Sequence, residues 1–394
     1  MLHSFILGMG RAGGGLHLPA LLRTRALSPG LFAPGPVVAH DPFRPPSGMT
    51  GVVTADTIEE AATLTPPHRT VVHICTPPQI RLGVLERLAG LGYRKIIVEK
   101  PLALDLVGLA AIARLRRSRG LEITVATHWL HSDLTRRLRE AVDTEEFGRL
   151  RGIRFVQNKP RFTRSAMVPD HPTAFDVEVP HALAVVLTLA GGARITGASW
   201  ADMATGRLRL PRLGRAGLRL EHHSGVRTEI DSDLTSPVRE RRITLEFERA
   251  TLTGHYPCSD TDHTAQLRVV TEGRDTVWTV FDDDALSAFI RGTYSRYARL
   301  SATRGALPVQ VEAVRLLTEA KDLCAADERD AARHGEAQHE KTRHEKTQYE
   351  KTQYEKTQYE KTQYEKTQYE KTQHEKAQHE KTWHEEERRV HGVR

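Results

Sequence analysis

The chain has 394 residues, 39% hydrophobic and 27% charged, with a net charge of +7 and three cysteines. Its length accommodates two or three domains, and no run reaches the roughly 18 apolar residues a bilayer span needs, so no membrane association is expected. Scattered arginines with no basic arm argue against nucleic acid, and the odd, distant Cys75, Cys258 and Cys324, with no signal-peptide pattern at the N-terminus, point to the cytoplasm.

Residues 3–7 read as a short buried strand that runs into Gly8-Met9-Gly10-Arg11-Ala12-Gly13 and then an apolar helix through Leu16 and Leu22. A second strand over 36–41 ends in Asp41, and a short helix follows over 57–64. The strand 71–75 is broken by Thr76-Pro77-Pro78, and a helix spans about 80–92. The strand 95–98 leads into Glu99-Lys100-Pro101, followed by a helix over 105–119 and a strand over 122–126. Strands alternating with helices at this spacing predict a doubly wound parallel sheet over residues 1–126.

After about residue 148 the texture changes. Antiparallel strands are predicted near 150–156, 217–222, 242–247, 266–271 and 276–281, with helices at 180–190, 284–300 and 308–326. The expectation is an α+β domain over 127–332 with a large, mostly antiparallel sheet, its last helix free to pack back on the first domain. Residues 333–394 form a low-complexity tail in which nine Glu-Lys pairs recur every five residues. On a helix that period advances about 140° per repeat, so the tyrosines form no apolar stripe. Disorder or a solvated helix is expected there.

The chemistry is expected in three places. The Gly8-x-Gly10-Arg11-Ala12-Gly13 turn, after a strand and opening a helix, suits a dinucleotide pyrophosphate and marks the first domain as Rossmann-like. Asp41 at the second strand's end is placed to accept from the adenosine ribose and favours NAD, while Arg44 nearby leaves NADP open. Thr76 and Pro77, then Glu99 and Lys100, sit at carboxyl ends of parallel strands, where such sheets bind ligands. Only Lys95, Lys100, Lys159 and Lys321 precede the tail in an arginine-dominated chain, and lysine, unlike arginine, can change protonation when desolvated. Lys95 and Lys321 read as chance surface lysines.

With the glycine triplet, Thr-Pro-Pro, Glu-Lys-Pro and an α+β domain behind them, residues 1–330 resemble the glucose–fructose oxidoreductase, inositol dehydrogenase and rhizopine-catabolism family. The resemblance implies that Lys100 lies beside the nicotinamide and polarises a reacting hydroxyl. It also implies a histidine at the start of a helix in the second domain, four residues after an aspartate. His181, following Pro180, matches the histidine, but Val177 stands where the aspartate belongs, between Asp176 and Glu178. Glu178 is the acid expected to orient His181 or meet the substrate, and Asp176, His128, Trp129 and Lys159 are expected in the substrate pocket. Arg81 replaces a histidine the family often has after Thr-Pro-Pro.

The expected activity is NAD(P)-dependent hydride transfer to or from a secondary alcohol or ketone of a sugar, cyclitol or amino sugar, with no metal. Lys100, His181 and Glu178 are the expected catalytic residues, and a homo-oligomer is the default assembly. A C=N or C=C reductase and a non-catalytic dinucleotide-binding regulator remain the alternatives.

Overall fold

The computed structural model describes residues 1–45, 48–167, 171–206, 208–259, 261–299, 307–390 and 392. Among these residues the chain builds two sheets, one of six strands and one of eight, within a compact unit Met1–Cys324, while Ala325–Arg394 forms a second unit. The α/β domain joined to an α+β domain expected from the sequence is the fold the chain adopts.

The first sheet contains β1 (His3–Leu7), β2 (Val37–His40), β3 (Val52–Thr54), β4 (Thr70–Ile74), β5 (Lys95–Val98) and β6 (Glu122–Val125) in the order β3-β2-β1-β4-β5-β6. All of its pairings are parallel. β2 and β4 are buried at every position, as strands must be when helices cover both faces of the sheet. Those helices include α1 (Leu18–Leu27), α2 (Ile58–Leu64), α3 (Arg81–Gly90) and α4 (Leu106–Arg119). Thr57 and Asp105 cap α2 and α4 by accepting from the backbone N–H groups of Glu60 and Gly108. Strand order reverses at β1 and β4, and the crevice at the carboxyl ends of these two strands is where an open α/β sheet receives a ligand.

The second part runs through α5 (Asp133–Asp143), β7 (Leu150–Asn158), α6 (Phe162–Met167) and α7 (Val179–Ala190). It continues through β8 (Ala193–Thr205), β9 (Leu208–His222), β10 (Arg227–Asp233), β11 (Glu240–Phe247), β12 (Ala250–His255), β13 (Thr264–Thr271) and β14 (Val277–Asp282) to α8 (Ala285–Ala298). The sheet order is β14-β13-β12-β11-β7-β10-β9-β8, with β7 and β10 parallel and the other neighbours antiparallel. Every residue of α7 except Thr188 is buried. A helix apolar all round belongs in a core, and its rigid first turn carries His181.

Helix α8 packs on the parallel sheet. Its Phe289, Ile290, Tyr294 and Tyr297 share one apolar cluster with Ile6, Leu18, Leu21 and Phe32. A last helix, α9 (Pro308–Val390), contributes Leu316, Leu317, Ala320 and Cys324 to the core of the second sheet and Val314 to that of the first. In the second unit the chain is helical through Val390, and from Asp327 on its described side chains are exposed. Each repeat threonine, such as Thr357, bonds back to the carbonyl four residues earlier, and the tyrosines stay exposed with no apolar stripe. Of the two states expected for the tail, the solvated helix is the one described.

Candidate functional site

The glycine turn follows β1 directly. Gly8 has φ +91°, a conformation that L side chains rarely adopt. A Cβ on Gly13 would lie 1.9 Å from the Gly8 carbonyl oxygen, so only glycine lets the turn close on the helical turn Gly13–His17 that precedes α1. Asp41 ties the end of β2 to this turn. Its carboxylate accepts from the backbone N–H groups of Met9 (2.7 Å), Phe43 (2.9 Å) and Arg44 (3.1 Å). The sequence suggested only a ribose role for Asp41; the structure shows a brace whose oxygens keep lone pairs for a further donor. Gly8, Gly10, Arg11, Ala12 and Asp41 all line a cavity of about 800 Å³. Phe43, 90% exposed, and Ile80, 53% exposed, line it as well. No sequence pattern singled them out, although two bare apolar side chains suit a flat ring.

Thr76, Pro77, Glu99 and Lys100 line the same cavity at the ends of β4 and β5. The Glu99 N–H donates to the Ile74 carbonyl (3.0 Å), prolonging the β4–β5 pairing by one residue, and the Lys100–Pro101 bond is cis. Arg81 is almost wholly buried beneath these turns and donates to the carbonyls of Pro101, Leu102 and Thr76. It stitches the Thr-Pro-Pro turn to the Glu-Lys-Pro turn, a role its sequence position did not reveal. Lys100 reaches the segment just before α7, its Nζ donating to the Val177 carbonyl.

His181 is 7% exposed, and its Nδ1 is buried without a hydrogen-bond partner. Trp129 stacks on it (5.2 Å between centroids, 28°) and in turn stacks on Tyr256 and Phe155. His128 meets it edge-on at 4.8 Å. His128, Trp129, Lys159, Glu178 and His181 all line the cavity with Lys100. Two expectations need correction. Glu178, at the start of α7, pairs with Lys159 (2.5 Å), not with His181. Asp176 is absent from the lining; its buried carboxylate accepts from the N–H and hydroxyl of Thr173 and from Lys321 (3.1 Å). Lys321 is therefore the partner of a buried acid and not a chance surface lysine, whereas the half-buried Lys95 donates from its side chain to the His68 carbonyl.

Burial and charge tune these groups in different directions. Burial pushes the Lys100 ammonium below its ordinary value, and Glu178 and Glu99 oppose that shift. Burial, then Lys100 and His128, hold His181 well below the usual imidazole range, and burial takes His128 to about 4. Burial favours the protonated form of Glu99, but the His17 hydrogen bond and the nearby cations outweigh it and hold the carboxyl at about 2. Glu178 likewise stays well below the carboxylate range, since Lys159, Arg241 and Lys100 outweigh its burial. The cavity thus brings Lys100 and a buried imidazole into one space with the glycine turn.

No family model matches the chain, and no curated protein matches it. Solved structures do. A 3-ketoreductase from Actinomadura kijaniata, solved with NADP and TDP-benzene, is 14% identical, with a TM-score of 0.65 over 82% of this chain and 97% of that one. UDP-N-acetylglucosamine 3-dehydrogenase from Acidithiobacillus ferrooxidans is 17% identical, with a TM-score of 0.63 over 83% of this chain and 99% of that one. An NAD-binding oxidoreductase from Klebsiella pneumoniae is 15% identical, with a TM-score of 0.65 over 80% of this chain and 95% of that one. At these identities the likeness establishes a shared two-domain fold.

Proposed function

We propose that the chain is an NAD(P)-dependent oxidoreductase acting on a secondary alcohol or ketone of a sugar-like substrate. The observation that carries this reading is the convergence of Lys100, just past β5, and His181, in the first turn of α7, in one cavity with the glycine turn. The similar folds of enzymes named as a 3-ketoreductase and a UDP-N-acetylglucosamine 3-dehydrogenase support it.

The residues fit a dinucleotide. The Gly8 and Gly13 positions form a cradle that a Cβ would fill, and the N–H groups of this turn are suited to a pyrophosphate. Asp41 disfavours a 2′-phosphate by charge, so NAD is the expected cofactor, with NADP open through Arg44. When bound, the nicotinamide supplies the hydride acceptor or donor. In the oxidation direction His181, held neutral, takes the hydroxyl proton. The Lys100 ammonium stabilises the negative charge that develops on that oxygen. Lys159 and Glu178, paired beside them, are placed to bind polar groups of the substrate, and Trp129 fixes the imidazole plane by stacking.

The test is a fluorescence titration with NADH and NADPH, followed by turnover on a panel of polyols, sugars and nucleotide-linked sugars. Binding with turnover supports the proposal. Binding without turnover on any member favours a cofactor-sensing regulator, and absence of binding overturns the reading.

A further inference from the structure

A polar chain runs through the first domain beneath the cavity floor. His17 Nε2 lies 2.9 Å from Glu99 Oε1, and His17 Nδ1 lies 2.9 Å from His73 Nδ1. His73 Nε2 is 3.0 Å from the Tyr294 hydroxyl, which donates to Ser4 Oγ at 2.7 Å. His17, His73, Tyr294 and Ser4 are all at most 4% exposed. None of the four lines the cavity, whereas Glu99 does. The chain links four separate elements: the helical turn before α1, then β4, α8 and β1. Polar groups this deep are costly unless each is paired, so a connected set of them in an otherwise apolar cluster calls for a reason beyond stability.

We infer that His17, His73 and Tyr294 are positioning residues that hold Glu99 as a fixed, ionised carboxylate beside Lys100. The inference rests on the proposed function only in taking Lys100 as the reaction centre. Hydrogen-bond bookkeeping supports it. With Tyr294 donating to Ser4 and His73 to Tyr294, His17 gives its Nδ1–H to His73, and it serves Glu99 as well only if it carries both ring protons. If the chain reverses, with Ser4 donating to Tyr294, Tyr294 to His73 and His73 to His17, a neutral His17 donates its Nε2–H to Glu99. With both imidazoles neutral only this second order serves Glu99, His73 occupying the other nitrogen of His17 and Tyr294 the far nitrogen of His73. The ring cannot turn its donor elsewhere without stranding a buried nitrogen, which costs about 1–3 kcal/mol.

The charged and titratable groups around this end of the chain are few. Glu99 faces His17, Lys100 and His128, and acts in turn on Cys75 and Arg81. Lys100 faces Glu178, Glu99, Arg161 and Asp176, and acts in turn on His181, His128 and Lys159. Tyr294 faces Arg25 and Tyr297 besides Ser4 and His73. Glu99 is thus one of the carboxylates that keep Lys100 charged against its burial, and its own charge depends on the His17 N–H.

The experiment reads the titration of Lys100 directly and needs no substrate. Trace acetic anhydride competes between the full-length protein and free phenylalanine across a pH series, and mass spectrometry quantifies acetylation of the Lys100 peptide. Glu99→Gln removes the charge with little change of shape. The Lys100 midpoint should fall, by up to about one pH unit, since Glu99 acts on Lys100 without a direct ion pair and Glu178 remains. His17→Phe should reproduce that fall, while His17→Gln, which keeps an N–H donor, should stay with the wild type. Tyr294→Phe, a change far from the cavity, should give a smaller shift in the same direction. An unmoved midpoint in His17→Phe or Glu99→Gln overturns the inference, and so does a His17→Gln shift as large as that of His17→Phe. If His17→Phe does not fold, the Tyr294→Phe and His17→Gln results decide alone: no shift in Tyr294→Phe, or a full shift in His17→Gln, overturns it. NADH titration of the wild type runs alongside. Its failure counts against the functional reading, while the labelling result still decides the positioning chain.

Discussion

Gly13→Ala tests the dinucleotide cradle at its tightest point. The added Cβ would sit 1.9 Å from the Gly8 carbonyl oxygen and 3.0 Å from its carbon, where ordinary contact begins at 3.4 Å. Both obstructing atoms are backbone, so no side chain can rotate away and the turn itself must open. Forcing a methyl into a packed site costs about 1–3 kcal/mol. If that distortion falls on the pyrophosphate-binding turn, NADH affinity drops roughly 5- to 150-fold. Gly83→Ala is the matched control: Gly83 lies within α3, and a Cβ there meets nothing within 4 Å. That change should leave affinity alone and raise stability by about 0.5–1 kcal/mol through helix propensity. The assay is NADH fluorescence titration of both variants with thermal melts alongside. A folded Gly13→Ala protein that binds NADH as tightly as wild type would refute the reasoning.

Other expectations follow from the charged groups. His181→Ala should lower turnover about 10²- to 10⁴-fold once a substrate is found, with NADH affinity nearly intact; unchanged turnover would remove His181 from the chemistry. Glu99, at about 2 in the folded chain against 4.5 ordinarily, contributes stability that is full above about pH 4.5 and lost as pH falls toward 2. That amounts to about 3 kcal/mol, so urea unfolding of wild type should weaken over this window and that of Glu99→Gln should weaken less. Lys159→Met removes the ion-pair partner of the buried Glu178 but leaves Arg241 and Lys100 near it, so it should cost less than the roughly 3–5 kcal/mol of a fully stranded charge, and adding Glu178→Gln should recover part of it in a double-mutant cycle. Asp41→Asn removes the charge beside the ribose position, so the NADPH-to-NADH affinity ratio, measured by titration, should rise roughly tenfold, or by about 1.4 kcal/mol.

The first sheet was legible because its physics is local. Strands such as Thr70–Ile74 are buried on both faces and read as short apolar runs, and turns containing Gly8, Pro77 and Pro101 punctuate them. The second sheet was legible only in part. β8 gives no clear alternation in sequence, since Gly197 and Asp202 interrupt it, and β10 alternates but offers Ile230 as its one apolar residue. Their pairing comes from distant strands, such as β10 beside β7. At the site, the sequence could place residues on strand ends and helix starts but not assign their partners. Glu178 was matched to His181 by proximity in the chain, whereas space gives it Lys159. Asp176 went to Lys321 for the same reason: a residue 145 positions away comes to lie 3.1 Å from it. Arg81 and the His17–His73–Tyr294 chain carry no motif and exist only once four separate elements have packed.

The central claim is that Lys100 and His181 flank the reacting end of a bound nicotinamide cofactor. A crystal structure of the protein with NADH tests it most directly. The pyrophosphate should lie against the Gly8–Gly13 turn and the nicotinamide ring beside Lys100, with space next to His181 for a hydroxyl carbon about 3–3.5 Å from the reacting ring atom. A cofactor bound with its nicotinamide turned away from Lys100 would contradict it.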